Sequence, residues 1–111
     1  MKRLSTLFSL IVLSVGLMAQ NKAPRLEAVT PDTGKPAVEY STTGNNLDKS
    51  SVKELYLTNG KDDIKMSIVT QKEESIQFKV PASTKPGRYS LMLLTADGKL
   101  FLEQPVKLTI E

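Results

Sequence analysis

Few residues in this chain could do chemistry. Asp32-Thr33-Gly34 is a triplet whose carboxylate could meet a second carboxylate and share one proton with it, as two-carboxylate proteolysis requires. That chemistry needs burial among apolar neighbours, whereas the flanks here are Thr30-Pro31 and Lys35-Pro36. Pro31-Asp32-Thr33-Gly34 is also what turn chemistry alone selects, and it is read as a turn. Asp62-Asp63 and Glu73-Glu74 could be imagined as acid–base pairs for glycoside hydrolysis. Adjacent residues on a strand point to opposite faces, so neither pair can flank one bond. They read as solvated charges beside turns. Asp62, Asp63 and Asp97 are loop carboxylates that calcium could use, but no EF-hand-like spacing joins them.

The rest of the composition narrows the chemistry further. The 111 residues include no Cys, no His and no Trp. A nucleophilic triad has no imidazole base. Zinc and copper have no thiolate or imidazole, and disulfides are impossible. The expectation is a non-enzymatic protein with no cofactor and no metal. The length fits one domain, held by its apolar core alone.

The first residues read as an export signal. Lys2 and Arg3 form a short positive region, Leu4 to Leu17 is apolar apart from a few Ser, Thr and Gly residues, and Met18-Ala19 supplies a small residue before Gln20. Residues 1–19 are taken as a signal peptide and the product as secreted or periplasmic. The apolar run is shorter than the ~20 residues of a membrane span, so membrane contact is expected only through an uncleaved signal. No Cys follows the run, which leaves nothing to acylate. Losing Lys2 and Arg3 takes 15 basic residues to 13, against 12 acidic ones. The remaining charges are scattered, and no basic stripe offers a footprint for nucleic acid.

After residue 20 the apolar residues recur with a period of two. Ile64, Met66 and Ile68 alternate with polar neighbours, as do Ile76, Phe78 and Val80, and Val106, Leu108 and Ile110. This is the pattern of half-buried strands. Asn59-Gly60 and Asp97-Gly98 suit type I′ hairpin turns, and Lys85-Pro86-Gly87 suits another turn. At most a single helical turn is expected, over Asp48 to Ser51. The strands predicted are Pro24–Thr30, Ala37–Thr43, Ser51–Thr58, Asp63–Thr70, Ser75–Val80, Gly87–Ala96 and Lys99–Ile110, the last interrupted at Pro105. About seven short strands predict an all-β, antiparallel, immunoglobulin-like sandwich over residues 24–111, filling the mature chain.

Four segments also carry a resemblance. They are Leu26-Glu27-Ala28-Val29-Thr30-Pro31, Val38 to Gly44 followed by Asn45-Asn46-Leu47, Ile76-Gln77-Phe78-Lys79-Val80-Pro81, and Pro86-Gly87-Arg88-Tyr89-Ser90-Leu91. In this order they resemble the IPT/TIG domain, an immunoglobulin-like family. Glu39-Tyr40-Ser41 stands where that family usually carries Val-Thr-Ile. The resemblance implies a non-catalytic spacer or interaction unit of surface and extracellular proteins. Members that bind DNA use basic loops, and none is visible here.

The last hairpin is the informative element. A two-residue turn at Asp97-Gly98 puts Ala96 opposite Lys99, Thr95 opposite Leu100, Leu94 opposite Phe101 and Leu93 opposite Leu102. Tyr89, Leu91, Leu93, Leu100 and Leu102 then share the core face, together with Val106, Leu108 and Ile110 if Pro105 leaves the parity intact. Met92, Leu94 and Phe101 fall on the outer face, with Tyr56 from the adjoining strand. The candidate interaction face is therefore Tyr56, Met92, Leu94 and Phe101, because an exposed apolar patch often marks an interface. The competing reading is that these side chains lie under a loop or under lysine stems, or that the register is off by one. The function expected is a secreted protein-interaction or envelope-assembly module, with a protein partner or self-association through this face. The alternative is a carbohydrate-binding domain of the cell envelope. Its aromatic platforms would have to come from Tyr40, Tyr56, Tyr89, Phe78 and Phe101.

Overall fold

Alternating side chains force two faces on every strand, and the apolar faces must meet. The structure, a computed structural model, describes residues 23–111. The expected signal peptide lies outside them. Among the described residues nine strands occur in chain order: β1 (Arg25–Thr30), β2 (Thr33–Gly34), β3 (Glu39–Asn45), β4 (Val52–Thr58), β5 (Asp63–Lys65), β6 (Ser67–Gln71), β7 (Ser75–Lys79), β8 (Gly87–Thr95) and β9 (Phe101–Ile110). There is no helix among the described residues. One sheet has the order β1-β3-β7-β6 and the other β2-β9-β8-β4-β5. Leu26, Val29, Tyr40, Ile76 and Phe78 from the first sheet pack into one cluster with Leu55, Leu57, Leu91, Leu93, Leu108 and Ile110 from the second. Tyr40 stacks on Phe78 with ring centroids 5.8 Å apart.

Three expectations are corrected. The predicted strand Asp63–Thr70 is two strands in two sheets: β5 pairs with β4, and β6 pairs with β7. The chain crosses at Met66, which is 2% exposed and whose N–H donates to Leu55 O at 2.8 Å. Period-two alternation reports which side faces inward and is blind to a change of partner. The turn expected at Pro31–Gly34 contains β2, which pairs in parallel with the end of β9 (Thr33 with Thr109, Gly34 with Ile110). The second sheet is therefore mixed. The two hairpin turns also differ from type I′. Gly60 and Gly98 take positive φ, while Asn59 and Asp97 do not. Instead their side-chain carboxyl and amide oxygens accept backbone N–H groups: Asn59 Oδ1 from Lys61 and Asp62, Asp97 Oδ1 from Lys99. This is the local turn chemistry that Asn and Asp offer besides tolerating positive φ.

Pro105 leaves the alternation intact. Ser90 pairs with Lys107 and Met92 with Glu103, so Gln104, Pro105 and Val106 oppose Leu91 alone. The two extra residues are an even number, and Gln104, Val106, Leu108 and Ile110 all stay buried.

Polar side chains tie the layers. Gln104 accepts the N–H of Leu26 at 2.9 Å, joining β9 to β1 across the two sheets. Gln71 Nε2 donates to Leu47 O and Val52 O, at 2.8 and 2.9 Å, and so closes the β3–β4 connection. Tyr89 OH donates to Lys85 O at 2.7 Å, four residues upstream, and pins the corner that leads into β8.

Candidate recognition face

β8 places the site. It runs through the middle of the five-stranded sheet, and all of Tyr89 to Leu94 is buried. Leu91 and Leu93 belong to the core cluster, whereas Met92 and Leu94 do not. They point to the other face, away from the second sheet. Tyr56 on β4 pairs with Met92, and Phe101 on β9 pairs with Leu94. β4 and β9 lie on opposite sides of β8, yet the rings of Tyr56 and Phe101 meet edge to face at 5.5 Å and 69°. They can do so only by leaning over β8. The two rings therefore roof Met92 and Leu94.

The structure thus brings the four expected residues to one face but does not expose them equally. Phe101 is 55% exposed and Tyr56 half-buried, whereas Met92 and Leu94 are each only 7% exposed. The roof was not foreseen because pairwise register says nothing of which way a ring leans. Leu100, expected on the core face, is 58% exposed. Thr95 N–H donates to Leu100 O, and the hairpin loop carries Leu100 past the last strand pair, Leu94 with Phe101. Tyr40, Phe78 and Tyr89 are core residues at 0–3% exposure. Of the five aromatic candidates for a sugar platform, Tyr56 and Phe101 remain.

A polar cluster borders the aromatic pair. Tyr56 OH donates to Glu54 Oε1, and Lys65 Nζ lies 2.9 Å from Glu54 Oε2. The Tyr56 hydroxyl, followed by the Lys65 ammonium, holds the Glu54 carboxyl below its ordinary value. Glu54 in turn pushes the Tyr56 phenol up. Beside this cluster, where β5 gives way to β6, is an open cleft of about 330 Å³ lined by Lys53, Glu54, Lys65, Met66, Ser67 and Ile68.

The other candidates disperse. Asp32 is exposed, and its backbone carbonyl accepts the N–H of Thr109 at the sheet edge. Asp62 and Asp63 lie at the end of the sheet where Thr58 pairs with Ser90. Asp97 lies at the opposite end, its carboxyl held low first by the Thr95 hydroxyl and then by the Lys99 N–H. Glu73 and Glu74 are exposed, while their carbonyls accept the N–H groups of Leu47 and Gly44. Among the described residues no group of three or more acidic side chains is arranged to hold a metal.

Sequence reasoning missed Gln104 and Gln71. Gln104 left a trace, being a polar residue at an inward position between Leu102 and Val106. Gln71 left none.

No protein family matches the chain, and no curated protein does. Solved structures do. A Bacteroides thetaiotaomicron protein of unknown function is similar with a TM-score of 0.68 and 19% identity, over 82% of this chain and 22% of its own. An auxiliary nutrient binding protein of Bacteroides thetaiotaomicron is similar with a TM-score of 0.58 and 24% identity, over 82% of this chain and 21% of its own. SGBP-B of the Bacteroides ovatus mixed-linkage glucan utilization locus, in complex with a mixed-linkage heptasaccharide, is similar with a TM-score of 0.56 and 17% identity, over 80% of this chain and 23% of its own. The chain spans about a fifth of each of these proteins. At such identities the likeness is one of fold.

Proposed function

We propose that this chain is an exported, non-catalytic interaction module of the immunoglobulin-like, IPT/TIG-like kind. It works through the outer face of its five-stranded sheet and takes a protein partner in an extracellular or envelope assembly. The observation that carries this reading is the Tyr56–Phe101 pair: two aromatic rings, outside the core cluster, meet over apolar side chains on a face that no second layer covers among the described residues. Tyr is among the side chains enriched at the energetic centre of interfaces, and Phe is enriched in interfaces generally. The lack of Cys and His supports a function without bond making. The pinned corner at Tyr89 is a device described for immunoglobulin-like sandwiches. The Gly-x-Asn-Leu stretch has a physical basis here too: a side chain at Gly44 would strike the Arg25 carbonyl, Asn46 takes φ 59°, and Leu47 is fully buried.

Size-exclusion chromatography of gently solubilised producing cells tests the reading. The wild-type chain should elute in a complex larger than its own monomer, and Phe101→Ser should elute free while still folded. Equal elution of the two would overturn it.

A second reading, carbohydrate binding, is favoured by one observation. The exposed Phe101 ring is followed by the Tyr56 hydroxyl and the Glu54 and Lys65 charges, a stacking surface beside groups that bond sugar hydroxyls. The similar SGBP-B was solved with a heptasaccharide. Calorimetric titration with mixed-linkage oligosaccharides tests it. Heat lost in Phe101→Ser supports it, and no heat with the wild type rejects it.

A further inference from the structure

This inference rests on the reading of the outer face as a contact surface and names an occupant for it. Register lays out that face in rows, each running in the strand order β5, β4, β8, β9. One row is Asp63, Thr58, Ser90 and Lys107; the next is Lys65, Tyr56, Met92 and Glu103. The third is Glu54, Leu94 and Phe101. It has no β5 member, because β5 ends at Lys65 and the chain crosses to the other sheet at Met66. The cleft of about 330 Å³ lies at that missing place, against Glu54, Lys65 and Met66. At the far end of the same row stands Phe101, 55% exposed.

The row ends are complementary to themselves. The geometry points to a second copy of this chain, packed face to face about a twofold axis parallel to the strands between β4 and β8. That rotation lays each row over its own reverse. Lys65 meets Glu103 of the second copy, and Asp63 meets Lys107 of the second copy. Each Phe101 position comes over the place in the other copy where β5 is missing, and its ring enters the cleft there by turning away from Tyr56. A cavity of ~150 Å³ admits a benzene ring, and the cleft offers Met66, Ile68 and lysine stems as walls. A twofold axis perpendicular to the strands would also oppose unlike charges, Lys65 on Asp63 and Glu103 on Lys107, but it leaves Phe101 over no cleft. Four strands at ~4.8 Å spacing by three rows give roughly 400 Å² per copy. That is below the ~800 Å² per partner of stable complexes, so the dimer is weak.

Sedimentation equilibrium of the purified protein up to about 1 mM tests this, with melting curves as a control for folding. The wild type should dimerise. Phe101→Ser, Asp63→Lys and Lys107→Asp should each weaken dimerisation about tenfold or more, and the double variant Asp63→Lys/Lys107→Asp should recover it. Within one copy these two residues stand three strand spacings apart, so rescue reports a contact between copies. The perpendicular axis predicts no rescue, because Asp63→Lys would then set a second ammonium against Lys65 of the other copy. A wild type that stays monomeric overturns the dimer and leaves the partner reading to the elution experiment. A dimer that the double variant fails to restore uses another geometry, which also overturns the inference.

Discussion

Gly44 has the least room for a side chain of the described glycines. Its backbone pairs with Leu26 on β1, and an added Cβ would run into the backbone carbonyl of Arg25. Backbone cannot step aside as a flexible side chain can. Gly44→Ala should therefore cost about 2–3 kcal/mol, the upper part of the range for overpacking. At roughly 4–8 °C per kcal/mol for a domain of this size, calorimetry should show a fall of about 8–24 °C. Glu54 makes a pH prediction. Its carboxyl is held below its ordinary value of 4.5 by Tyr56 and Lys65. A depressed folded value stabilises the fold above the unfolded value, and that contribution is lost as pH falls through the folded one. The melting advantage of the wild type over Glu54→Gln should thus be full at pH 7 and shrink below pH ~4.5. An advantage that grows on acidification would refute the assignment.

At the scale of elements, β8 separates two kinds of apolar residue that a sequence pattern treats alike. Leu93 sits between the sheets, and Leu94 sits under a roof of two rings on the outside. Leu94→Ser should cost about 2–3 kcal/mol, since it puts a hydroxyl in an apolar site and opens a hole. Phe101→Ser should cost only about 1 kcal/mol, the size of one lost aromatic edge contact. Thermal melts of the pair would separate structural from surface duty. Gln104→Leu should lower stability by about 1–2 kcal/mol, because the Leu26 N–H loses its acceptor. The strands themselves were readable from alternation, and so was the pairing of Leu93 with Leu102 and Leu94 with Phe101. What was not readable was partner identity. The switch at Met66 keeps its inward phase while changing sheets, and Thr33-Gly34 is too short to show any period. The face was legible as a set of residues, but not the lean of Tyr56 and Phe101 that buries half of it.

The whole molecule manages its sheet edges. β1 carries a bulge between Leu26 and Ala28, and β6 carries one between Ile68 and Thr70. β2 has two residues and β5 has three. Short and bulged edges resist strand-to-strand pairing. With the edges blunted, the broad route to association is a sheet face. The four-stranded sheet presents Glu39, Gln77 and Lys79, all exposed, with Val69 its one large apolar residue exposed in the β6 bulge, whereas the five-stranded sheet presents the Tyr56–Phe101 pair. The most direct test of this asymmetry places a photoreactive phenylalanine at position 101, and separately at position 77, in the producing cell. Irradiation should join position 101 to a partner, or to a second copy, and leave position 77 free. Cross-links from position 77 with none from position 101 would contradict the assignment of the recognition face.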